Sequence, residues 1–335
     1  ETPPFEIVEN SDTKEELRLK YRYLDLRRPD LQKNLIFRSR VAKSIRDFMY
    51  EEGFIEIETP MLIRSTPEGA RDFLVPSRVH KGEFYALPQS PQLYKQLSMV
   101  AGFDRYFQLA RCFRDEDLRA DRQPEFTQVD IEMSFVDEEQ VMGMAEGLMA
   151  RVFKEALGVE ISLPIPRMPY EEAMRDYGCD KPDTRFDLKL KDVTDIVRGS
   201  SFKLFASAQL VKAMRVPAGG TMTRKEIDEL TDYVKGFGAM GLAWIKIHET
   251  EWQSPIAKFL SEEQLAEMKE LAKMEPGDCL FFMAADVDEC NRLSGLVRTN
   301  IADNMTNDIR EKNCYKFCWI VDFPFFEKDP ETGKI

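Results

Sequence analysis

The sequence predicts an α+β protein of two domains, and three observations carry that prediction. The chain has 335 residues and a mass of 38.9 kDa, which fits two domains better than one. A long helical pattern over residues 31–52 precedes a hairpin pattern formed by residues 105–113 and 126–135. Beyond residue 170, short strand-like runs alternate with helical runs, as they do in compact α+β units.

The first helix is predicted from apolar residues that recur at steps of three and four over residues 31–52. Gly53 follows as the residue that can adopt the left-handed turn at a helix end. Residues 54–58 then read as a strand, which Pro60 ends. Residues 1–29 are polar and contain Pro3, Pro4 and Pro29, so we expect an irregular entry segment there.

A second helix is predicted to begin at Ser90 and Pro91, with Ser90 as the N-cap and Pro91 in the first helical position. It runs to about Ala101. A third helix is predicted over residues 138–157, because Asp137 and Gln140 form a capping-box pattern and a glycine follows the helix.

The hairpin strand over residues 126–135 alternates between an apolar and a polar face. Such a polar face, with an aromatic at one end, suits the floor of a site for an amphipathic ligand; the alternative is a solvent-facing strand with one stray aromatic. The two predicted faces are Val129, Ile131, Met133 and Phe135 on one side and Phe126, Gln128, Asp130, Glu132 and Ser134 on the other.

Residues 170–311 are predicted to form an inserted domain of ferredoxin-like α+β type. The domain boundaries that follow are an entry segment at 1–29, a first domain at 30–169, the insertion at 170–311 and a return to the first domain at 312–335. The predicted strands are 202–208, 211–216, 242–248 and 280–285, the predicted helices are 224–237, 262–274 and 287–304, and the returning strand is 319–323.

Composition excludes several classes of protein. Apolar residues make up 43% and charged residues 32%, which is typical of globular domains rather than disordered or fibrous chains. No apolar run has the length of a membrane span. The six cysteines and two histidines lack paired metal-ligand spacing, so no metal site is predicted and reduced cytoplasmic thiols are expected.

The net charge of −13 argues against non-specific nucleic-acid binding. Residues 14–46, however, hold eleven Lys and Arg against four Asp and Glu. A local basic stretch on an acidic body can guide a polyanion to one place, whereas a solvated helix face is the simpler interpretation.

Residues of the hairpin offer a way to hold a nucleotide. Neither a P-loop nor a strand-linked GxGxxG is present. Arg111, Arg114, Arg119 and Arg122 cluster on and beside the hairpin, where guanidinium groups could bind phosphates and carboxylates. Phe126 offers a flat face for a base.

Five segments resemble the bacterial-type aspartyl-tRNA synthetases, a family of class II aminoacyl-tRNA synthetases, and the resemblance covers essentially the whole chain. Residues 112–130, with the sequence CFRDEDLRADRQPEFTQVD, resemble motif 2 in its aspartyl form. The other segments are 53–60, which resembles motif 1, 21–29, which resembles the entry to the catalytic domain, and 66–72 and 89–96, which resemble aspartate-binding segments.

The resemblance implies a class II antiparallel sheet flanked by helices. It also implies that residues 170–311 are a GAD-type domain, because 241–247 and 254–260 resemble that domain. Nothing in that domain suggests catalysis. A homodimer is implied through motif 1, with the helix of residues 31–52 and the following strand at the contact.

The implied reaction joins the α-carboxylate of aspartate to the α-phosphorus of ATP, releases pyrophosphate and then transfers aspartate to the 3′ end of tRNA(Asp). Arg114 is similar to the arginine that bridges the α-phosphate and the substrate carboxylate, and with Glu116 it is the implied catalytic pair. The implied ATP-binding residues are Arg114, Asp115, Glu116, Gln123 and Phe126, with the ring of Phe126 on the adenine.

Lys95 matches the lysine that faces the side-chain carboxylate of aspartate. A buried ammonium there would disfavour asparagine, because the neutral amide leaves the cation unpaired. The plain alternative is an exposed helix lysine. The implied aspartate-binding residues are Glu68, Ser90, Gln92, Lys95, Arg114 and Asp130.

The resemblance also implies Mg²⁺ as a companion of ATP, with no metal ligands within this chain. The family's anticodon-binding domain, its motif 3, a histidine-bearing loop and the magnesium carboxylates are expected outside residues 1–335, so the chain by itself is expected to be inactive. Two alternatives stay open: a paralogue that activates aspartate or asparagine without tRNA, and a non-catalytic recognition module that contains a GAD domain.

Overall fold

The computed structural model describes residues 2–66, 68–117, 122–249, 251–304, 309–326 and 332. It divides into two compact units, Glu1–Pro164 (unit 1) and Ile165–Ile335 (unit 2). None of the described helices is both long enough and apolar enough to span a bilayer.

Unit 1 contains five helices and five strands in its described residues. The helices are α1 (Glu15–Lys20), α2 (Arg22–Asp25), α3 (Pro29–Glu51), α4 (Gln92–Val100) and α5 (Glu138–Leu157). The strands are β1 (Ile55–Glu56), β2 (Leu74–Pro76), β3 (Phe84–Ala86), β4 (Arg105–Phe113) and β5 (Glu125–Met133).

The predicted hairpin is confirmed: β4 and β5 pair antiparallel over their full length, from Arg105 opposite Met133 to Phe113 opposite Glu125. Strand β1 adds to the other side of β4 in parallel, whereas β2 and β3 form a separate two-stranded sheet. The strand predicted over residues 54–58 is therefore shorter than expected.

The core of unit 1 lies between α3, α5 and the hairpin. Ile45, Met49, Phe54 and Phe107 are buried there. The two helices can approach closely because α5 has a glycine at position 147, where an added Cβ would lie 3.1 Å from the ring of Phe48. Helix α5 has the predicted capping box between Asp137 and Gln140.

Two expectations for unit 1 were wrong in detail. The entry segment is irregular over residues 2–14 but then forms α1 and α2. Asp25 of α2 is fully buried and accepts hydrogen bonds from Arg22 at 2.6 Å and Arg28 at 3.3 Å. The apolar face of β5 is also incomplete. Val129 is 38% exposed and Phe135 is 97% exposed, since Phe135 has a φ of 56° and lies beyond the strand.

Unit 2 contains six α-helices, two 3₁₀ helices and seven strands in its described residues. The helices are α6 (Tyr170–Tyr177), α7 (Thr194–Val197), α8 (Lys203–Ser207), α9 (Arg224–Gly236), α10 (Glu262–Ala272) and α11 (Val287–Asn304). The strands are β6 (Arg167–Pro169), β7 (Leu190–Asp192), β8 (Leu210–Val216), β9 (Ala243–Ile247), β10 (Trp252–Gln253), β11 (Cys279–Ala285) and β12 (Trp319–Val321).

The main sheet of unit 2 is antiparallel, in the order β10-β9-β11-β8-β7. Helices cover both of its faces. Phe281 and Met283 pack with α9 and α11 on one face, and Leu280 and Phe282 pack with α7 and α10 on the other. This alternation explains why β11 reads as a continuous apolar run in the sequence.

The strand predicted over residues 202–208 was wrong, because α8 occupies Lys203–Ser207. Phe205 is 1% exposed in this helix and packs against Phe202 and Phe282. The other predicted elements of the insertion are present within two residues of their expected ends. Strand β12 pairs in parallel with β6, so the strand before residue 170 and the strand after residue 311 are neighbours.

Candidate active site

One face of the β4–β5 hairpin is polar on both strands. The cross-strand register places Tyr106 opposite Glu132, Gln108 opposite Asp130 and Cys112 opposite Phe126. Side chains two residues apart on a strand share a face, so these pairs form one continuous surface. In the middle of that surface, Ala110 lies opposite Gln128 and is 2% exposed.

Lys95 reaches this polar face from α4 and forms a partly buried ion triad with Asp130 and Glu132. Its Nζ lies 2.7 Å from Oδ1 of Asp130 and 3.4 Å from Oε2 of Glu132. The side chain of Lys95 is only 12% exposed. Burial opposes its charge, but the hydrogen bond and charge of Asp130, together with Glu132, outweigh burial and hold the pKa of Lys95 above its usual value.

A buried hydrogen-bond chain supports the triad from below. The hydroxyls of Tyr106 and Thr59 each donate to Oε1 of Gln108 at 2.9 Å. Burial, together with the nearby Asp130 carboxylate, raises the pKa of Tyr106, so its hydroxyl stays protonated. Oδ2 of Asp130 is buried and has no hydrogen-bond partner among the described residues.

The thiol of Cys112 is influenced by charged side chains that are predicted to bind aspartate. Burial raises its pKa to about 11, and the charges of Asp130, Arg114, Glu68 and Lys95 all act on it. The thiol is fully buried and donates to Oε1 of Gln128 at 3.3 Å. The charges of four predicted aspartate-binding residues therefore act on this one thiol.

A cavity of about 390 Å³ lies at the end of the face where Phe126 stands. The guanidinium carbon of Arg114 lies 5.1 Å from the centroid of the Phe126 ring. This cavity is lined by four of the five predicted ATP-binding residues, which are Arg114, Glu116, Gln123 and Phe126. The lining residues are Arg114, Glu116, Asp117, Arg122, Gln123, Pro124 and Phe126.

Asp115, the fifth of these residues, does not line the cavity. Its backbone N–H donates to the carbonyl of Arg71 at 3.0 Å, and Nε of Arg71 donates to the carbonyl of Asp115 at 3.2 Å. The backbone N–H of Arg114 donates to the carbonyl of Pro124 at 2.9 Å. These bonds fix the segment that presents Arg114 to the cavity.

Ser90 does not cap α4 as predicted, since the helix begins at Gln92 with Pro91 as its N-cap. The hydroxyl of Ser90 donates instead to Oε2 of Glu68 at 2.7 Å. Gln92 is half-buried and lies on α4, three residues before Lys95. Ser90 therefore holds Glu68, another predicted aspartate-binding residue, instead of capping the helix.

Not all of the predicted arginine cluster belongs to the site. Arg111 is 55% exposed on its side chain and pairs with Glu125 at 3.1 Å, outside the cavity lining. Arg119 lies outside the described residues. Sequence reasoning assigned no role to Glu132, Tyr106 or Gln108, although Glu132 shares the polar alternation that pointed to Asp130.

Across the described ranges of the chain, no group of three or more His, Cys, Asp or Glu side chains could hold a metal ion. The site consists of a buried cation held by carboxylates at one end and an arginine stacked on an aromatic ring in a cavity at the other. Such a surface can bind a zwitterion beside an anion with a planar base.

The family of tRNA synthetases class II (D, K and N) matches residues 14–333. The chain belongs to the class II tRNA synthetases. This finding confirms the resemblance that motifs 1 and 2 suggested, and it accounts for the mixed α+β content of the synthetase chain.

Curated relatives are similar over nearly all of the synthetase chain. The "Aspartate--tRNA(Asp/Asn) ligase" of Oleidesulfovibrio alaskensis is 62% identical over 333 residues, which are 99% of this chain and 55% of the relative. The protein of the same name from Nitratidesulfovibrio vulgaris is 61% identical and covers 99% of this chain and 54% of the relative. The chain spans about half the length of these relatives.

A solved structure of the Entamoeba histolytica asparaginyl-tRNA synthetase in complex with asparaginyl-adenylate is also similar to the synthetase chain. It is 17% identical, with a TM-score of 0.44, and the alignment covers 86% of this chain and 70% of the other. A likeness at this level adds nothing to the assignment of the site.

Proposed function

We propose that this chain carries the site at which L-aspartate is activated with ATP to aspartyl-adenylate, for transfer to the 3′ end of tRNA(Asp). One observation supports the proposal above all others. The polar face of the hairpin has a buried Lys95–Asp130 pair at one end and Arg114 over Phe126 at the other. An amino acid and a nucleotide could therefore lie side by side on it.

Arg114 and Glu116 are the proposed catalytic residues of the adenylation step. The carboxylate of aspartate attacks the α-phosphorus and pyrophosphate leaves, so two anions must approach one another. A two-pronged guanidinium can contact both and stabilise the charge that develops between them. Phe126 offers its ring to the adenine, and Gln123 lines the same cavity.

Lys95 is the proposed discriminator of the substrate side chain. An ammonium has three N–H donors, and the triad engages Lys95 with two acceptors, Asp130 and Glu132. A third donor can meet the side-chain carboxylate of aspartate. Oδ2 of Asp130, which has no hydrogen-bond partner among the described residues, is proposed to accept from the substrate ammonium. Ser90 and Glu68, which are hydrogen-bonded to each other, are proposed to bind the same substrate.

Mg²⁺ is proposed to enter with ATP, because the described residues offer no ready-made cage for it. Magnesium in such sites keeps several waters and takes one or two carboxylates together with substrate phosphates. Among the described residues that line the cavity, Glu116 and Asp117 carry carboxylates, and neither is proposed as a ligand of the ion. The ion would supply charge neutralisation at the phosphates.

A homodimer through motif 1 is proposed from the surface of α3 and β1. Leu35, Ile36 and Phe37 on α3 are 53%, 52% and 41% exposed, and Ile55 on β1 is 48% exposed. Large apolar side chains that stay exposed on this helix and strand are available for burial between two copies of the chain. Sedimentation of the intact protein as a stable monomer at micromolar concentration would contradict the proposal.

Residues 170–311 are proposed to be a GAD-type insertion, with residues 30–169 and 312–335 belonging to the synthetase domain. The pairing of β6 with β12 supports this, because the chain enters and leaves the insertion at adjacent strands. The protein is proposed to act in the cytoplasm, where tRNA is charged.

Pyrophosphate exchange by the intact protein tests the proposed function. Exchange of labelled pyrophosphate into ATP should require aspartate and should not respond to asparagine at the same concentration. Absence of exchange would favour a recognition module without chemistry. Exchange without charging of any tRNA would favour the tRNA-independent paralogue.

The tRNA partner is tested by charging transcripts of tRNA(Asp) and tRNA(Asn) side by side. The two relatives reported above are named for both tRNAs. Charging of tRNA(Asp) is the expected result. Charging of tRNA(Asn) as well would extend the proposal to the wider specificity that those names state.

A further inference from the structure

The Lys95 triad contains one more carboxylate than recognition of aspartate needs. Asp130 and Glu132 are two residues apart on β5 and contact the same ammonium, at 2.7 Å and 3.4 Å. Together with Lys95 they carry a formal charge of −1. An incoming aspartate side chain therefore approaches a cation that is already over-neutralised.

The two carboxylates differ in their surroundings. The side chain of Asp130 is 7% exposed and has a free buried oxygen, whereas that of Glu132 is 29% exposed. Asp130 is thus fixed on the polar face and can pair with a substrate ammonium. Glu132 is the longer, more accessible and more distant partner, and it is the one that a substrate carboxylate can displace.

We propose that Glu132 is a specificity-determining residue whose carboxylate competes with the side-chain carboxylate of aspartate for Lys95. This inference rests on the proposed function of the site. The competition lowers the affinity for aspartate and leaves the affinity for asparagine almost unchanged, because the neutral amide is not repelled. Glu132 therefore narrows the Asp-over-Asn preference that Lys95 creates.

The alternative role for Glu132 is to hold Lys95 in place, and the two roles predict opposite changes in KM. Glu132→Gln keeps the size and a hydrogen-bond acceptor for Lys95 but removes the charge. Under competition, KM for aspartate falls, because one partly screened like charge is removed. Under a purely structural role, Lys95 becomes less well positioned and KM rises.

The test is aspartate- and asparagine-dependent pyrophosphate exchange by the intact protein carrying Glu132→Gln. KM for aspartate is expected to fall about threefold to tenfold with kcat changed less than KM. The ratio of kcat/KM for aspartate over asparagine should rise by a similar factor. Glu132→Asp, which keeps the charge, should leave KM for aspartate higher than in Glu132→Gln.

A matched control is Glu160→Gln, which removes a carboxylate from a side chain of unit 1 that is 81% exposed and pairs with Lys154. It should leave KM unchanged. An unchanged or raised KM for aspartate in Glu132→Gln would overturn the inference while leaving the proposed function intact. Failure of the wild-type protein to exchange pyrophosphate with aspartate would instead overturn the proposed function itself.

Discussion

The hairpin of unit 1 and the central sheet of unit 2 differ in which of their faces are covered by apolar side chains. In unit 2, β11 has apolar side chains on both faces, and Leu280, Phe281 and Phe282 are each at most 2% exposed. In unit 1, the side chains of β5 alternate between an apolar and a polar face. The polar face carries Asp130 and Glu132, and these contact Lys95 instead of packing against apolar side chains of a helix.

This difference teaches where stability and chemistry are located. A sheet covered on both faces gains apolar burial and has no face left for a ligand. A hairpin that keeps one polar face loses that burial but can present fixed charges to a substrate. Substitutions in the sheet of unit 2 should therefore lower the free energy of unfolding, whereas substitutions on the polar face of the hairpin should change KM or kcat.

The largest effect is expected from Phe281→Ala in unit 2. Removal of a fully buried ring should lower the free energy of unfolding by about 3–5 kcal/mol. All three tryptophans of the chain, Trp244, Trp252 and Trp319, lie in unit 2, so tryptophan fluorescence during urea unfolding reports on that unit.

The corresponding change in unit 1 is Phe126→Ala, which removes a half-buried ring from the cavity. It should raise KM for ATP about tenfold through lost base stacking and leave the tryptophan transition in place. Equal destabilisation by the two substitutions would remove the distinction between the sheets.

The next effect concerns Arg114→Ala, which should lower kcat of pyrophosphate exchange about 100-fold to 1,000-fold because a charge-stabilising group is lost. Its side chain contributes little to the fold beyond its contact with Phe126. Arg111→Ala is the matched control, since Arg111 lies three residues before Arg114 at the end of β4, is exposed and pairs with Glu125. Comparable losses in both variants would argue against a specific role for Arg114.

A smaller effect concerns the pH dependence of unit 2. Lys212 is 3% exposed and donates to the carbonyls of Met174 and Arg175, at 2.8 Å and 2.7 Å. Burial lowers its pKa to about 8 from the ordinary 10.5, with the nearby Cys290 opposing the shift. Below pH 8 the lysine is charged in both states, and the folded state bears the full cost of burying the charge.

Between pH 8 and 10.5 the folded lysine loses its proton while the unfolded one keeps it, so stability rises with pH in that window. The gain is at most about 3 kcal/mol. Relative to Lys212→Met, the wild-type protein should gain stability from pH 8 to pH 10 in urea unfolding followed by tryptophan fluorescence. Parallel pH curves for the two proteins would contradict the prediction.

Elements with local signals could be predicted from the sequence. The capping box of Asp137 and Gln140 predicted the start of α5, and α11 begins at Val287 as predicted. The strand predicted over residues 202–208 was wrong because a short apolar run fits a strand or a helix equally well. The packing of Phe205 against Phe282 favours the helix.

The candidate site was predictable where a motif was long and unpredictable where contacts join distant residues. Arg114, Glu116, Gln123 and Phe126 come from one continuous segment, and the cavity contains all four. The contact of Glu132 with Lys95 links two elements 37 positions apart. No local pattern could show that this carboxylate shares the ammonium with Asp130.

The most direct test of the account is the aspartate-to-asparagine discrimination ratio of the Lys95→Met variant in pyrophosphate exchange. The account predicts that the preference for aspartate falls by about 100-fold or more, because the side-chain carboxylate loses its only buried cationic partner among the described residues of the triad. Tryptophan-detected unfolding should be unchanged. Aspartate activation that matches wild type in this variant would contradict the assignment of the polar face as the substrate site.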